Sequence, residues 1–178
     1  MATKLPTVAI IGRANAGKSS LFNRMMRSQQ AIVAREAGTT RDRVVGKAAY
    51  HGHEFWLVDT AGLKPAEDEF EASIQEQITD ASDAADVILV VVDSTEYPSD
   101  EDRRVAKTAL KSRKPVILIA NKTDLRGSLP TSEFLRLGIK SIIRTSAEHN
   151  SGISDALDEI CQHIPEKRQA EPSDVLKI

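Results

Sequence analysis

Gly12-Arg13-Ala14-Asn15-Ala16-Gly17-Lys18-Ser19 lies between an apolar run, Val8-Ala9-Ile10-Ile11, and an amphipathic stretch that opens at Ser20. A GxxxxGKS spacing set between a strand and a helix is the pattern of a phosphate-binding loop. The glycines let the backbone wrap closely round phosphate oxygens, so that N–H groups and a helix N-terminus face negative charge. Lys18 is then placed to reach the β- and γ-phosphates, and the Ser19 hydroxyl to ligate Mg²⁺. Gly12, Asn15, Ala16, Gly17, Lys18, Ser19 and Ser20 form the expected cradle of a nucleoside triphosphate.

Outward from this loop, the runs Phe55–Val58, Val87–Val92, Val116–Ala120 and Ser141–Ile143 are short, apolar and unalternating, as expected of strands covered on both faces. Helical spacing separates them, at Leu21, Phe22, Met25 and Met26, at Phe70, Ile74, Ile78 and Ala81, at Val105, Ala109 and Leu110, and at Ile153, Leu157, Ile160 and Ile164. Ser99 with Asp102 reads as a capping box and Pro165 as a stop. Arg43–Tyr50 and Glu54–Asp59, joined around His51-Gly52-His53, read as a hairpin. The expected fold is therefore α/β, of the P-loop NTPase kind: a six-stranded, mostly parallel sheet with one antiparallel strand and helices on both faces.

The 178 residues, 40% of them hydrophobic, suit one domain with one core. Residues 1–165 are expected to form that nucleotide-binding domain. Residues 166–178 turn polar and aperiodic before ending on Val175-Leu176-Lys177-Ile178. They read as a linker and the possible start of another strand, hence a fragment of a longer protein. A net charge of −2 gives no bulk attraction to nucleic acid or membrane, and no basic cluster marks an RNA surface. Cys161 is a single cysteine, so no internal disulfide forms. With no leader and no apolar run near the ~18 residues of a membrane span, the expected location is cytoplasmic, with no membrane partner.

Three further motifs each close a predicted strand. Asp59-Thr60-Ala61-Gly62 puts Asp59 at a strand's carboxyl end, where ligands bind in open α/β sheets; Asp59 would hold Mg²⁺ and Gly62 would bring its N–H to a γ-phosphate. In Asn121-Lys122-Thr123-Asp124, the Asp124 carboxylate can accept from N1–H and the exocyclic amine of guanine, donors that adenine does not offer in that geometry. Asn121 would brace the loop, and the Lys122 stem would lie along the base. Thr145-Ser146-Ala147 would complete the pocket, with Ser146 beside the Ala147 N–H that serves guanine O6. In this order, one motif per strand end, the set implies GTP as ligand and GDP as product.

Taken together, the motifs resemble those of Era-like, translation-factor-related GTPases over Val8 to Ile164. Gly38-Thr39-Thr40-Arg41-Asp42, Asp59-Thr60-Ala61-Gly62-Leu63, Glu76-Gln77 and Ala85-Asp86-Val87 are similar to the first GTPase domain of the EngA (Der) family. The resemblance implies a second GTPase domain in the same chain, a KH-like domain, and action in assembly of the large ribosomal subunit. It aligns Thr40 with the switch threonine that meets Mg²⁺ and the γ-phosphate, Thr39 being the alternative. It also assigns K⁺ binding to Asn15, so that Lys18, Thr40, Gly62 and Asn15 form the expected catalytic set. Leu63 stands where Ras-like proteins carry the glutamine that orients water, which implies slow intrinsic turnover, stimulated by K⁺. Ala14 and Ala16 replace the family's usual proline and valine without removing a phosphate-binding group. The Ala61-containing motif also resembles MnmE, a tRNA-modification GTPase, whose GTPase domain is inserted within a helical one. A regulatory binding module with incidental turnover would use the same pocket.

Other chemistry-bearing residues read as structural. His51 and His53 lack further metal ligands nearby in sequence. Cys161 shares a helical face with Leu157 and Ile164 and reads as core, and Trp56 reads as a packed strand residue. Glu67-Asp68-Glu69 suits a helix N-terminus.

Overall fold

A computed structural model describes residues 5–27, 32–35, 44–60 and 78–165. The interior strand Val87–Asp93 (β5) is buried along its whole length, which explains why its sequence, Val-Ile-Leu-Val-Val-Val-Asp, does not alternate. Thr7–Gly12 (β1) runs parallel to β5 on one side, and Val116–Asn121 (β6) runs parallel to it on the other. Ser141–Arg144 (β7) extends the sheet beyond β6. His53–Asp59 (β4) lies parallel to β1, and Val44–Tyr50 (β3) is antiparallel to β4.

All six expected strands form. A seventh, Ile32–Arg35 (β2), pairs antiparallel to β3 at the edge, so β3 remains the one strand running against the others. The spatial order is β2-β3-β4-β1-β5-β6-β7. A four-residue edge strand carries no periodicity long enough to register in sequence. The β3–β4 turn is tighter than its three polar residues imply. His51 and Gly52 both take positive φ, the geometry whose twist matches flanking strands, and His53 belongs to β4.

Alternation along the strands sorts the core into two layers. Val8, Ile10, Leu89, Val91, Ile117 and Ile119 face Lys18–Arg27 (α1) and Ile153–Gln162 (α4), whose Leu21, Phe22, Met25, Leu157 and Ile160 are buried. Ala9, Ile11, Ile88, Val90, Leu118 and Ala120 face helical residues 78–84 (α2), Asp100–Lys111 (α3) and a 3₁₀ segment, Thr131–Leu137. The capping box of α3 is present: Asp102 N donates to Ser99 Oγ at 3.1 Å, and Ser99 N donates to Asp102 Oδ2 at 2.9 Å.

Trp56 differs from expectation: it is 37% exposed, on β4 opposite Lys47. Cys161 is half-buried and its Sγ approaches Tyr50 O at 3.7 Å. Burial and the nearby Asp158 push its thiol up to about 11, so it stays protonated at neutral pH and is no nucleophile. Phe70 and Ile74 lie outside the described residues, as do Arg43 and Glu67-Asp68-Glu69.

Five strands end at one edge of the sheet, and that edge collects the motifs. Register places Gly12 beside Val91, Ile10 beside Asp59, Asp93 beside Asn121 and Ala120 beside Arg144. Parallel strands all present their carboxyl ends on the same side, so four loops distant in sequence converge there. Truncating Leu89→Ala, fully buried in β5, is expected to cost about 2–5 kcal/mol in urea unfolding. The same truncation at Leu135, 57% exposed, should cost about 0.5 kcal/mol or less. Equal losses at the two positions would contradict this core.

Candidate functional site

Between β1 and α1 the backbone of residues 12–17 bends back on itself, with Gly12 at φ +156°, Asn15 at +70° and Gly17 at +100°. Glycine is required at both ends for steric reasons. A Cβ on Gly12 would lie 2.6 Å from Val91 O, and one on Gly17 would collide with the Asn121 side chain. The loop is thus packed against β5 and the end of β6, not free to drift.

Lys18 is 7% exposed and its Nζ donates to Gly12 O at 2.6 Å and Arg13 O at 2.8 Å. Burial pushes its pKa below the ordinary lysine value, against the opposing pull of Asp59 and Glu101. An anion seated in the loop would relieve that cost. Ser19 Oγ donates to Asp59 Oδ2 at 2.9 Å, so the two expected Mg²⁺ ligands already meet across 40 residues of sequence. Thr60 Oγ1 donates to Ile10 O at 2.8 Å and fixes the chain just after Asp59. Ser20 is exposed on the first turn of α1.

On the other side of the loop, Asn121 is 2% exposed and joins three segments. Its Nδ2 donates to Ala16 O at 3.4 Å, while its Oδ1 accepts from Thr145 Oγ1 at 2.9 Å and from Ala147 N at 3.2 Å. Lys122, at φ +69°, donates to Asn15 O at 2.8 Å and to Asp93 Oδ2 at 3.1 Å. Its stem is thereby stretched beside Gly17. Asp124 accepts from Ser146 Oγ at 2.8 Å and lies 3.4 Å from His149 Nε2. Arg24, from α1, donates to Ala147 O at 2.6 Å and Glu148 O at 3.0 Å, tying the last loop to the helix that follows the first.

Gly12, Asn15, Ala16, Gly17, Lys18, Ser19, Asp59, Asn121, Lys122, Asp124, Ser146 and Ala147 therefore come together at one edge. Thr40, Gly62 and Leu63 lie outside the described residues, as does the segment 166–178.

Three contributors escape a motif reading. Asp93 closes β5 and is 6% exposed. Burial works to raise its carboxyl pKa, yet bonds from Thr95 Oγ1 and N and from Lys122 outweigh it and hold the group below the usual carboxylate range. An acid ending a buried strand, as Asp59 does, was the available signal. Arg24 and the clamp on Arg13 carried none: Arg13 Nη2 meets Glu96 Oε1 at 2.6 Å, and its Nε lies 3.4 Å from Asp102 Oδ1. Among the described residues no group of three or more His, Cys, Asp or Glu could hold a metal ion.

A family model described as 50S ribosome-binding GTPase matches residues 7–122. GTPase Der of Gemmatimonas aurantiaca is 43% identical over 170 residues, which cover 94% of this chain and 38% of that protein. GTPase Der of Bacteroides fragilis is 49% identical over 155 residues, 85% of this chain and 35% of that one. The chain thus spans well under half the length of these curated relatives. Among solved structures, an Aquifex aeolicus Era variant bound to GDP·AlF4⁻ matches with a TM-score of 0.71 and 29% identity, over 93% of this chain and 59% of that chain. The G domain of the Thermotoga maritima FeoB iron transporter matches with a TM-score of 0.69 and 25% identity, over 90% of this chain and 99% of that one.

Asp93→Asn tests the brace on Lys122. Because the folded-state pKa of Asp93 is depressed, its carboxylate stabilises the fold above the unfolded-state pKa, and that contribution disappears as pH falls through the folded value. The variant should lose about 1–3 kcal/mol in urea unfolding near neutral pH, with the gap to the parent closing in acid. Identical unfolding midpoints at neutral pH would contradict the brace.

Proposed function

The chain belongs to the 50S ribosome-binding GTPase family and within it matches GTPase Der, and on that premise we propose that it binds GTP with Mg²⁺ and hydrolyses it to GDP and phosphate. The observation that carries this reading is the Asn121 junction, which supports a phosphate loop and a base-reading loop as one rigid pocket. Asp124, held in place by Ser146, faces the guanine N1–H and exocyclic amine, and the Lys122 stem packs against the base. The Gly12–Ser19 backbone and Lys18 cradle the β- and γ-phosphates.

Ser19 and Asp59 suit Mg²⁺, because two oxygen donors of the kind it prefers already lie 2.9 Å apart beside the phosphate loop. Thr40 and Gly62 complete the γ-phosphate contacts in this reading. The ion supplies charge neutralisation at the phosphate oxygens. Lys18 holds the charge of the leaving group, and the loop amides fix the triphosphate in line for attack by water. Leu63 cannot hydrogen-bond that water, so intrinsic turnover is slow. Asn15 would hold K⁺, which would supply positive charge to the phosphoryl transfer. Among the described residues its side-chain amide has no hydrogen-bond partner, while Lys122 pins its carbonyl, which leaves the amide oxygen available.

The domain, residues 1–165, acts as a cytoplasmic switch in assembly of the large ribosomal subunit, joined through residues 166–178 to a second GTPase domain. The description of the family model, 50S ribosome-binding GTPase, supports the ribosomal part of this reading. Among the described residues no helix is long and apolar enough to cross a membrane.

Asp124→Ala is expected to weaken GTP binding at least tenfold, about 1.4 kcal/mol, and to leave weak ATP binding unchanged; equal GTP affinity would remove Asp124 from the base pocket. Hydrolysis measured in matched K⁺ and Na⁺ buffers should be faster in K⁺, and Asn15→Ala should erase the difference. Cation-blind rates in the parent would overturn the K⁺ site. Thr40→Ala should abolish Mg²⁺-dependent discrimination between GTP and GDP, and an unaffected variant would sink that assignment.

A further inference from the structure

From Arg103 to Lys114 the chain carries Arg103, Arg104, Lys107, Lys111, Arg113 and Lys114 and not one Asp or Glu. This stands out in a chain of net charge −2, and it is obscured in sequence by Asp100, Glu101 and Asp102 immediately upstream. The fold adds a wall to it. The 3₁₀ segment packs beside α3, with Phe134 and Leu137 in the same buried layer as Val105, Ala106 and Ala109. A cleft of about 430 Å³ opens between them, lined by Arg103, Lys107, Leu110, Lys111, Arg136 and Leu137.

The lining holds four cations, two leucines and no carboxylate. Arg103 is paired with Asp100 at 3.0 Å. The side chains of Lys107, Lys111 and Arg136 have no hydrogen bond or ion pair among the described residues. A face that serves only solubility mixes signs and satisfies its cations with neighbouring acids; here three stay uncompensated around a floor in which Leu110 is 41% exposed. Arg103, Lys107 and Lys111 follow one another at four-residue intervals, which sets them about 6 Å apart along one helix stripe. Arg136 faces that stripe from the opposite wall.

We propose that this cleft binds the phosphodiester backbone of RNA, the α3 stripe tracking successive phosphates and Arg136 closing on the strand from the other side. A line of uncompensated cations fits a regularly spaced polyanion, and the release of its counterions supplies the driving force. The surface lies apart from the nucleotide pocket, but one residue separates them at α3: Asp102, at the head of the helix, faces Arg13 of the phosphate loop. The choice of RNA rests on the ribosomal reading above, whereas the anion chemistry does not.

The test is fluorescence anisotropy of a labelled RNA hairpin with the 178-residue chain across a salt series, and with two double variants of equal charge change. Lys107→Glu/Lys111→Glu alters the stripe. Arg27→Glu/Lys47→Glu reverses two cations elsewhere, one of them at the end of α1 on the opposite sheet face. The stripe variant should bind RNA at least tenfold more weakly and lower the salt slope by about 1–2, while the second variant binds as the parent does. Binding of a fluorescent guanine nucleotide, measured on the same samples, should be unchanged in both, so failure of the nucleotide reading is seen separately. Absence of RNA binding by the parent, equal loss in the two variants, or displacement of the RNA by polyglutamate at equal charge would overturn the proposal; the last would assign the cleft to an acidic protein segment.

Discussion

A buried asparagine must satisfy both ends of its amide, and the Asn121 side chain does so by joining segments that the chain brings from far apart. At the buried end of β6, its amide nitrogen reaches the phosphate loop and its carbonyl receives the hydroxyl of Thr145 and the amide of Ala147. Leaving one such group unpaired in the interior costs about 1–3 kcal/mol, so the three segments are held to one arrangement. Gly17 is part of the same constraint, since any side chain there would displace Asn121.

Around that junction the charges interlock. Lys122 spans the acid at the end of β5 and the carbonyl of Asn15, and Asp93 is in turn fixed by Thr95. Arg13 leans on Glu96 and on Asp102, whose side chain completes the capping box of α3. Arg24 carries the phosphate-loop side across to Ala147 and Glu148. Preorganisation of this kind lowers the ordering cost of binding, because the loops need not be collected by the ligand.

Much of this was legible in the residues themselves. Val87–Val92 and Val116–Ala120 read as buried parallel strands because neither alternates, and the motifs fell at strand ends because glycine and polar residues follow the apolar runs directly. The capping box at Ser99 and Asp102 was visible from spacing alone. Less legible was anything that depends on which loop meets which. β2 is four residues long and is strand-like only because β3 offers an edge. Asp93 has no motif around it and gains its role from register with Asn121. Trp56 sits in an apolar run yet is part exposed, because its alternate side of β4 is not fully covered. The basic stripe of α3 was hidden by averaging over the whole chain: the three acids at the head of the helix offset part of the count, but not the field along its later turns.

In the proposed function, the converging loops at the carboxyl edge form a pocket that reads guanine. Calorimetric titration of the chain with GTP and with ATP, each with Mg²⁺, tests it most directly. A pocket that hydrogen-bonds the base through Asp124 predicts a preference for GTP of about 10⁴-fold. Comparable affinities for the two nucleotides would contradict it and reduce the site to a phosphate loop with no base specificity.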